Sequence, residues 1–246
     1  MDQQIQKPDF TNYSLDGGVV QTVSKTFFAN VFMWMFGALI ISTAFAFLFS
    51  QNLTLLSYLV TPKGLSTLGY MVLFAPIGFV LLMSLGYQRL SSPLMAFLFL
   101  TYAAINGISF SFILLIYTSS SVFGCFASAA VMFGIMAVMG YTTDKDLTSF
   151  GRILTMGFLG ILVAIVINLF LKSSGLDYLI SIIGVAVFTG LTAYDVQKLK
   201  RISLGIQFEG AASEDVKKTS IMGALTLYLD FINLFLMILR LFGRRR

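Results

Sequence analysis

The chain has 246 residues, is 57% hydrophobic and only 11% charged, and has a mean hydropathy of +0.88, against an apolar content of roughly 45 to 50% in soluble domains. That composition excludes a water-soluble globule and describes an integral membrane protein whose length suits one compact helical bundle. The net charge of +5 is not a nucleic-acid signal, because the basic residues gather in loops and at the C-terminus, and the absence of histidine excludes His-ligated zinc or haem and every Ser-His or Cys-His catalytic arrangement.

Residues 1–24 are polar, carry Asp2, Lys7, Asp9 and Asp16, and lack the apolar core of a cleavable signal peptide, which predicts a mobile tail. A single transmembrane domain over 25–243 follows, and 244–246 form a basic tail. The domain holds seven apolar stretches, at about 27–50, 65–87, 94–117, 120–141, 153–171, 178–196 and 221–242. Each approaches the roughly 20 residues that a helix needs to cross a bilayer, so the fold class is an all-α membrane protein. The connections are short except around 51–64 and in the charged link 197–220. Pro62 and Pro93 fall where helices start, and Pro76 lies inside segment two, where it predicts a kink. The single cysteine, Cys125 in segment four, can build neither an internal disulfide nor a thiolate cluster and reads as packing.

Small residues recur at four-residue spacing, as in Ala103, Gly107 and Ser111 on segment three and Ala186 and Gly190 on segment six, which predicts close helix packing. Asn106 and Asn168 read as interhelical hydrogen-bond partners. Asp144, Lys145 and Asp146 read as a solvated turn.

With the N-terminus in the cytoplasm, ten basic residues before segment seven lie inside and two, Lys63 and Lys172, outside. If segment seven spans the membrane, Arg240, Arg244, Arg245 and Arg246 change that balance to ten against six; if it dips in and returns, the balance is fourteen to two. Its apolar length favours a full span.

Two carboxylates occupy expensive positions. Asp195 lies near the end of segment six and Asp230 in the middle of segment seven. An ionised acid near the bilayer centre costs roughly 2.5 to 3.5 kcal/mol on insertion scales, and such residues face a cavity, a partner or an ion path. On segment seven, Gly223, Thr226, Asp230, Asn233, Met237 and Arg240 follow steps of three and four, and on segment six Ser181, Gly184, Phe188, Thr192 and Asp195 do the same. Both stripes are expected to point inward. Counted from Arg201 and Lys218, Asp195 is roughly 9 Å deep and Asp230 roughly 18 Å deep at 1.5 Å per residue, so the spacing leaves their pairing open. Should they meet, they would share a proton and titrate as a unit, a pH sensor built without histidine. Arg89, just beyond segment two, has the chemistry to bond either acid or to stay a loop charge.

The run Leu227-Tyr228-Leu229-Asp230-Phe231-Ile232-Asn233-Leu234-Phe235, followed by Leu239-Arg240 and Gly243, closely resembles the last-helix signature of the Bax inhibitor family, also called the transmembrane Bax-inhibitor-motif family. Gly190-Leu191-Thr192-Ala193-Tyr194-Asp195 with Gln197 and Lys200 resembles its sixth helix, and Gly140-Tyr141-Thr142-Thr143-Asp144-Lys145-Asp146-Leu147 a third landmark. The likeness covers roughly residues 20 to 243. It implies seven helices with the last one central, wrapped by two layers of three, and a calcium leak across the membrane. It also implies that Asp195 and Asp230 form the pH sensor, with Arg89 as a latch and acid as the activating condition; the residues themselves add Thr192, Thr226, Asn233 and Arg240 as a supporting polar stripe and the two carboxylates as transient calcium ligands. The link holding Gly205, Glu209, Gly210, Glu214 and Asp215 departs from the family by its length, and segment two carries no acid.

The leading expectation is a pH-sensitive cation leak, calcium being the ion, in a bacterial cytoplasmic membrane, with no cofactor and no enzyme activity. An intramembrane aspartyl protease is disfavoured, since Leu227-Tyr228-Leu229-Asp230 lacks the Gly-x-Gly-Asp of those enzymes and no proline follows Pro93. The other alternative is a non-conducting regulator that binds another membrane protein, such as a quality-control protease, through the N-terminal tail or the link 197–220.

Overall fold

Apolar runs with few internal breakers fold into helices, and the polar punctuation between them sets where each one turns. A computed structural model describes the backbone of residues 17–61, 64–209 and 213–246, and the side chains of 25–61, 64–204 and 214–246. The long helices are α1 (Gly17–Gln51), α3 (Thr67–Leu85), α4 (Ser92–Ile116), α5 (Ser119–Thr142), α6 (Thr148–Leu171), α7 (Ser174–Glu209) and α8 (Ser213–Phe242). A short helix α2 (Leu53–Leu59) and a two-stranded antiparallel hairpin, β1 (Val60–Thr61) with β2 (Gly64–Leu65), fill the connection between α1 and α3. The seven long helices are each long and apolar enough to cross a membrane, so the expected all-α membrane fold is the one observed.

Local chemistry fixes the ends. Asn52 caps α2 by accepting from the N–H groups of Thr54 and Leu55, and Ser66 caps α3 by accepting from Gly69. Pro93 sits in the first turn of α4, where no helical N–H is lost, and α3 continues through Pro76. Lys172, with φ of 49°, ends α6 in the left-handed conformation, and Asn168 Oδ1 accepts from Ser173 N–H at 3.0 Å. Asn168 is therefore a local cap, not the interhelical contact its position suggested, because it stands in the last turn of α6, where its side chain reaches the N–H of Ser173 in the connection beyond the helix.

The core sits around α8. Of its most apolar window 67% is buried within the protein, against 11% for α3 and for α6. It packs against α1, α4, α5 and α7, while α3 lies on α4 and α6 lies on α7. Close approach depends on missing side chains. A Cβ on Gly107 of α4 would stand 2.4 Å from the Ser42 carbonyl oxygen of α1, and one on Gly140 of α5 would stand 2.2 Å from that of Ala193 in α7. Ala103, Gly107 and Ser111 are buried as their spacing predicted, but Ala186 is exposed; only Gly190 of that pair meets a helix, packing on Leu154 and Phe150 of α6.

Two boundaries differ from the sequence reading. The predicted tail 1–24 is helical from Gly17, and residues 1–16 lie outside the described residues. The link 197–220 is mostly helix, since α7 runs to Glu209 and α8 starts at Ser213. Polarity there marks the membrane boundary and not a loop: Lys, Gln and Arg are good helix formers, and Leu199 and Ser203 remain buried.

Helix α8 crosses the whole bundle. Its C-terminal tail pairs with the α4–α5 connection, Thr118 N–H donating to Arg244 O at 3.0 Å and Arg246 N–H to Ile116 O at 2.9 Å. At its other end the Glu214 carboxylate accepts from Ser92 N–H at the start of α4, 3.3 Å away. Those two anchors lie at opposite ends of α4, so α8 runs the full length of that helix, as a full span requires.

Candidate functional site

Helices α7 and α8 run antiparallel and bring Asp195 and Asp230 into side-chain hydrogen-bonding contact, which the sequence had left open. Asp195 lies about four turns before the end of α7 and Asp230 nearly five turns after the start of α8, so both stand at one level. The apparent mismatch of about 9 Å came from treating Arg201 and Lys218 as equally deep; the start of α8 projects further, and Lys218 lies beyond Arg201 along the axis. Asp230 is buried, with 6% of its surface exposed, and its Oδ2 has no hydrogen-bond partner among the described residues. Asp195 is half-buried.

Of the basic residues near Asp195, Lys198 acts on its carboxyl through its charge, whereas Lys200 and Arg201 are directed elsewhere. Lys200 donates to the Tyr141 carbonyl at 2.8 Å and lies 5.2 Å from the centre of its ring. Arg201 donates to Asp146 Oδ1 at 2.5 Å, Thr148 Oγ1 at 2.6 Å and Gln197 Oε1 at 2.7 Å. Gln197 also accepts from Leu147 N–H at 2.9 Å and donates to the Lys145 carbonyl at 2.8 Å. The α5–α6 turn is thus fastened to α7 half a turn beyond Asp195, while Asp144, Lys145 and Asp146 are themselves exposed, as the solvated reading expects. Hydrogen bonds from Thr148 and Arg201 hold the Asp146 carboxyl well below the usual carboxylate range. Gln197 stood inside the resemblance motif, yet its partners, about 50 residues away in sequence, carried no local signal.

The stripe on α8 divides. Gly223, Asp230 and Met237 are buried, whereas Thr226 and Asn233 are half-buried and Arg240 is exposed. Residues three apart stand about 60° round a helix, so one stripe of threes and fours covers both the buried face and its open flank. Thr226 donates to Met222 O at 3.1 Å and the fully buried Thr192 to Phe188 O at 2.8 Å, so both hydroxyls bond within their own helices. Arg240 faces the far end of the bundle, 3.6 Å from Asp177 at the start of α7. Arg89 is exposed in the α3–α4 turn, and among the described residues its side chain forms no ion pair with either aspartate.

A cavity of about 640 Å³ opens beside that turn, lined by Ser84, Leu85, Tyr87, Gln88, Ile202, Thr219 and Met222. Tyr87 and Thr219 bridge it at 2.8 Å. From Met222 the open flank of α8 continues through Thr226 toward Asp230. On the opposite face of α8, Tyr228 is wholly buried and its hydroxyl lies 2.7 Å from Ser42 Oγ, which also donates to Ala103 O at 2.7 Å. Helices α1, α4 and α8 are thereby tied on one side while the aspartate side remains half-open. Among the described residues no three acidic or cysteine side chains converge, so the pair offers an ion two carboxylates, fewer than the 6 to 8 oxygens of a resident calcium.

The seven membrane-length helices and a central polar pair define a multi-pass membrane protein. Residues 24–246 match the family described as "Inhibitor of apoptosis-promoting Bax1", and the chain belongs to this Bax inhibitor family. It is 42% identical to the inner membrane protein YbhL of Escherichia coli over 222 residues, 90% of this chain and 93% of that protein. An uncharacterized protein of Borreliella burgdorferi is 40% identical over 91% of this chain and 94% of its own length, and Rickettsia prowazekii RP147 is 44% identical over 72% and 74%. The chain is a multi-pass protein of the bacterial inner membrane, as its composition and family predict.

Proposed function

We propose that this protein is a pH-sensitive cation leak, calcium being the ion, gated by the Asp195–Asp230 pair, with the N-terminus in the cytoplasm. The observation that carries the reading is the contact of two carboxyl groups inside adjoining membrane-spanning helices. A hydrogen bond between two carboxyl groups requires a proton, so the pair has two forms that differ in how they hold α7 to α8. With the proton, the acids bind each other. Without it, two like charges repel, by about 4 kcal/mol for a separation of about 4 Å at an effective dielectric of about 20. That repulsion is relieved by separating the helices or by admitting a cation. The cavity at the α3–α4 turn meets the half-buried flank of α8 that carries Met222 and Thr226, on the side from which an ion would approach the pair. The aspartates hold a proton and attract an ion, and no bond is cleaved.

The test is calcium flux into liposomes containing the purified full chain, measured between pH 5 and 8. Wild-type flux should depend on pH, and Asp195→Asn and Asp230→Asn should each abolish that dependence. Flux indistinguishable from wild type in both variants overturns the proposal.

A further inference from the structure

The end of the bundle opposite Lys198, Lys200 and Arg201 carries Arg240, Arg244, Arg245 and Arg246, and the backbone of Arg244 touches Ser121, which lines a groove unrelated to the aspartates. Arg240 is paired with Asp177, and Arg245 lies 5.9 Å from the Tyr117 ring centre. Arg244 and Arg246 are exposed, and their backbones are fixed by hydrogen bonds to Thr118 and Ile116. Arg244 N–H also donates to Ser121 Oγ at 2.8 Å, and Arg246 reaches Ser119 Oγ at 3.5 Å. Ser121 lines the mouth of a cavity of about 410 Å³ between α5, α7 and α8, which continues along Gly124, Ser128 and Met132 and is bounded by Val185 and Phe242. The space before Gly124 is open, with no atom within 4 Å of where a Cβ would project.

We infer that this groove binds one anionic phospholipid, its phosphate on the guanidinium groups of Arg244 and Arg246 and an acyl chain lying along Gly124, Ser128 and Met132. Charge complementarity selects the headgroup, because among the described residues Asp177 is the only acidic side chain at this end and Arg240 engages it. Arginine suits a phosphate through its planar pair of donors, and basic pockets between membrane helices are established headgroup sites. The position of the arginines adds a second reason. Loop charge sorts membrane proteins by gathering Lys and Arg at one end, and these lie at the other, in a tail fastened to the protein by main-chain bonds. A bound anionic lipid offsets that misplaced charge. A chain held between α5 and α8 would also bridge the central helix to one that packs on it.

The test uses delipidated full-length protein in detergent, examined by native mass spectrometry with dioleoyl phosphatidylglycerol, dioleoyl phosphatidylcholine or inorganic phosphate. Phosphatidylglycerol should be retained at least tenfold more than phosphatidylcholine. The double variant Arg244→Gln, Arg246→Gln should lose that preference. Gly124→Leu, which fills the groove while leaving both arginines, should also lose phosphatidylglycerol, because headgroup and chain are bound together. Unchanged thermal unfolding of both variants confirms that they fold. Equal retention of the two lipids, a preference surviving both variants, or displacement of the lipid by millimolar phosphate alone overturns the proposal.

Discussion

Asp195 and Asp230 are 35 residues apart in the chain and meet because α7 and α8 run antiparallel and both extend well past the charged residues that flank the membrane. Their contact stands on the half-open side of α8, while the opposite side is held by the Ser42–Tyr228 bond. The pair therefore adds a polar contact to the packed interface between the two helices.

A first prediction separates the proton from the hydrogen bond. An asparagine at 230 donates its amide to Asp195 and needs no shared proton, whereas Asp230→Leu leaves Asp195 without a partner. Buried polar groups that lose a partner cost about 1 to 3 kcal/mol, and interhelical bonds in membranes average about 0.6 kcal/mol. Thermal unfolding in detergent at pH 7 should rank Asp230→Asn above Asp230→Leu by about 1 kcal/mol, and unfolding of Asp230→Asn should not vary between pH 5 and 8. Equal stability of the two would show that the contact contributes no bond.

A second prediction concerns Asp146, whose carboxyl is held below the usual range by Thr148 and Arg201. A group whose folded value is depressed contributes stability above its ordinary value of about 3.9, and loses it only as the pH falls through the depressed value. The fastening of the α5–α6 turn is thus constant between pH 5 and 8. Asp146→Asn should leave the midpoint of any pH-dependent flux unchanged, and a midpoint displaced by a full pH unit would assign the sensing to this turn instead.

The seven spans, the two acids and the family were legible in the sequence because long apolar runs have one stable form in a bilayer and an acid within one is conspicuous. The reach of α7 and α8 was not, since Gln197, Lys198, Lys200 and Arg201 are polar and helical at once, and polarity alone cannot tell a projecting helix from a loop. Nor was the split of the α8 stripe, because three-and-four spacing is broad enough to include both Asp230 and the exposed Arg240. Arg201 meeting Asp146 and Ser42 meeting Tyr228 are pairings between distant helices, set by packing that no local pattern records.

A third prediction tests that packing. Gly140→Ala places a Cβ 2.2 Å from the Ala193 carbonyl oxygen, which forces α5 from α7. Overpacking of this kind costs about 1 to 3 kcal/mol. On the same helix, Gly134 faces open space, and Gly134→Ala should be neutral or stabilising by up to about 1 kcal/mol through helix propensity. Unfolding of the two variants under one set of conditions should differ in sign relative to wild type; equal effects would mean that α5 is not in close contact with α7 at Gly140.

A fourth prediction concerns the direction of α8. Its start is bonded to the beginning of α4 and its tail to the end of α4, so Lys217 and Arg245 belong to opposite membrane faces. In a Cys125→Ser background, single cysteines at these two positions should react with a membrane-impermeant maleimide from opposite sides, position 217 in inverted vesicles and position 245 in intact spheroplasts. The proposed cytoplasmic N-terminus, which the ten-to-six balance of basic residues favours, predicts which side is which, and the bonds to α4 predict that the sides differ. Labelling of both positions in the same vesicles would restore the re-entrant path and with it the fourteen-to-two charge balance; labelling of each in the reverse vesicle type would keep the span and invert the protein.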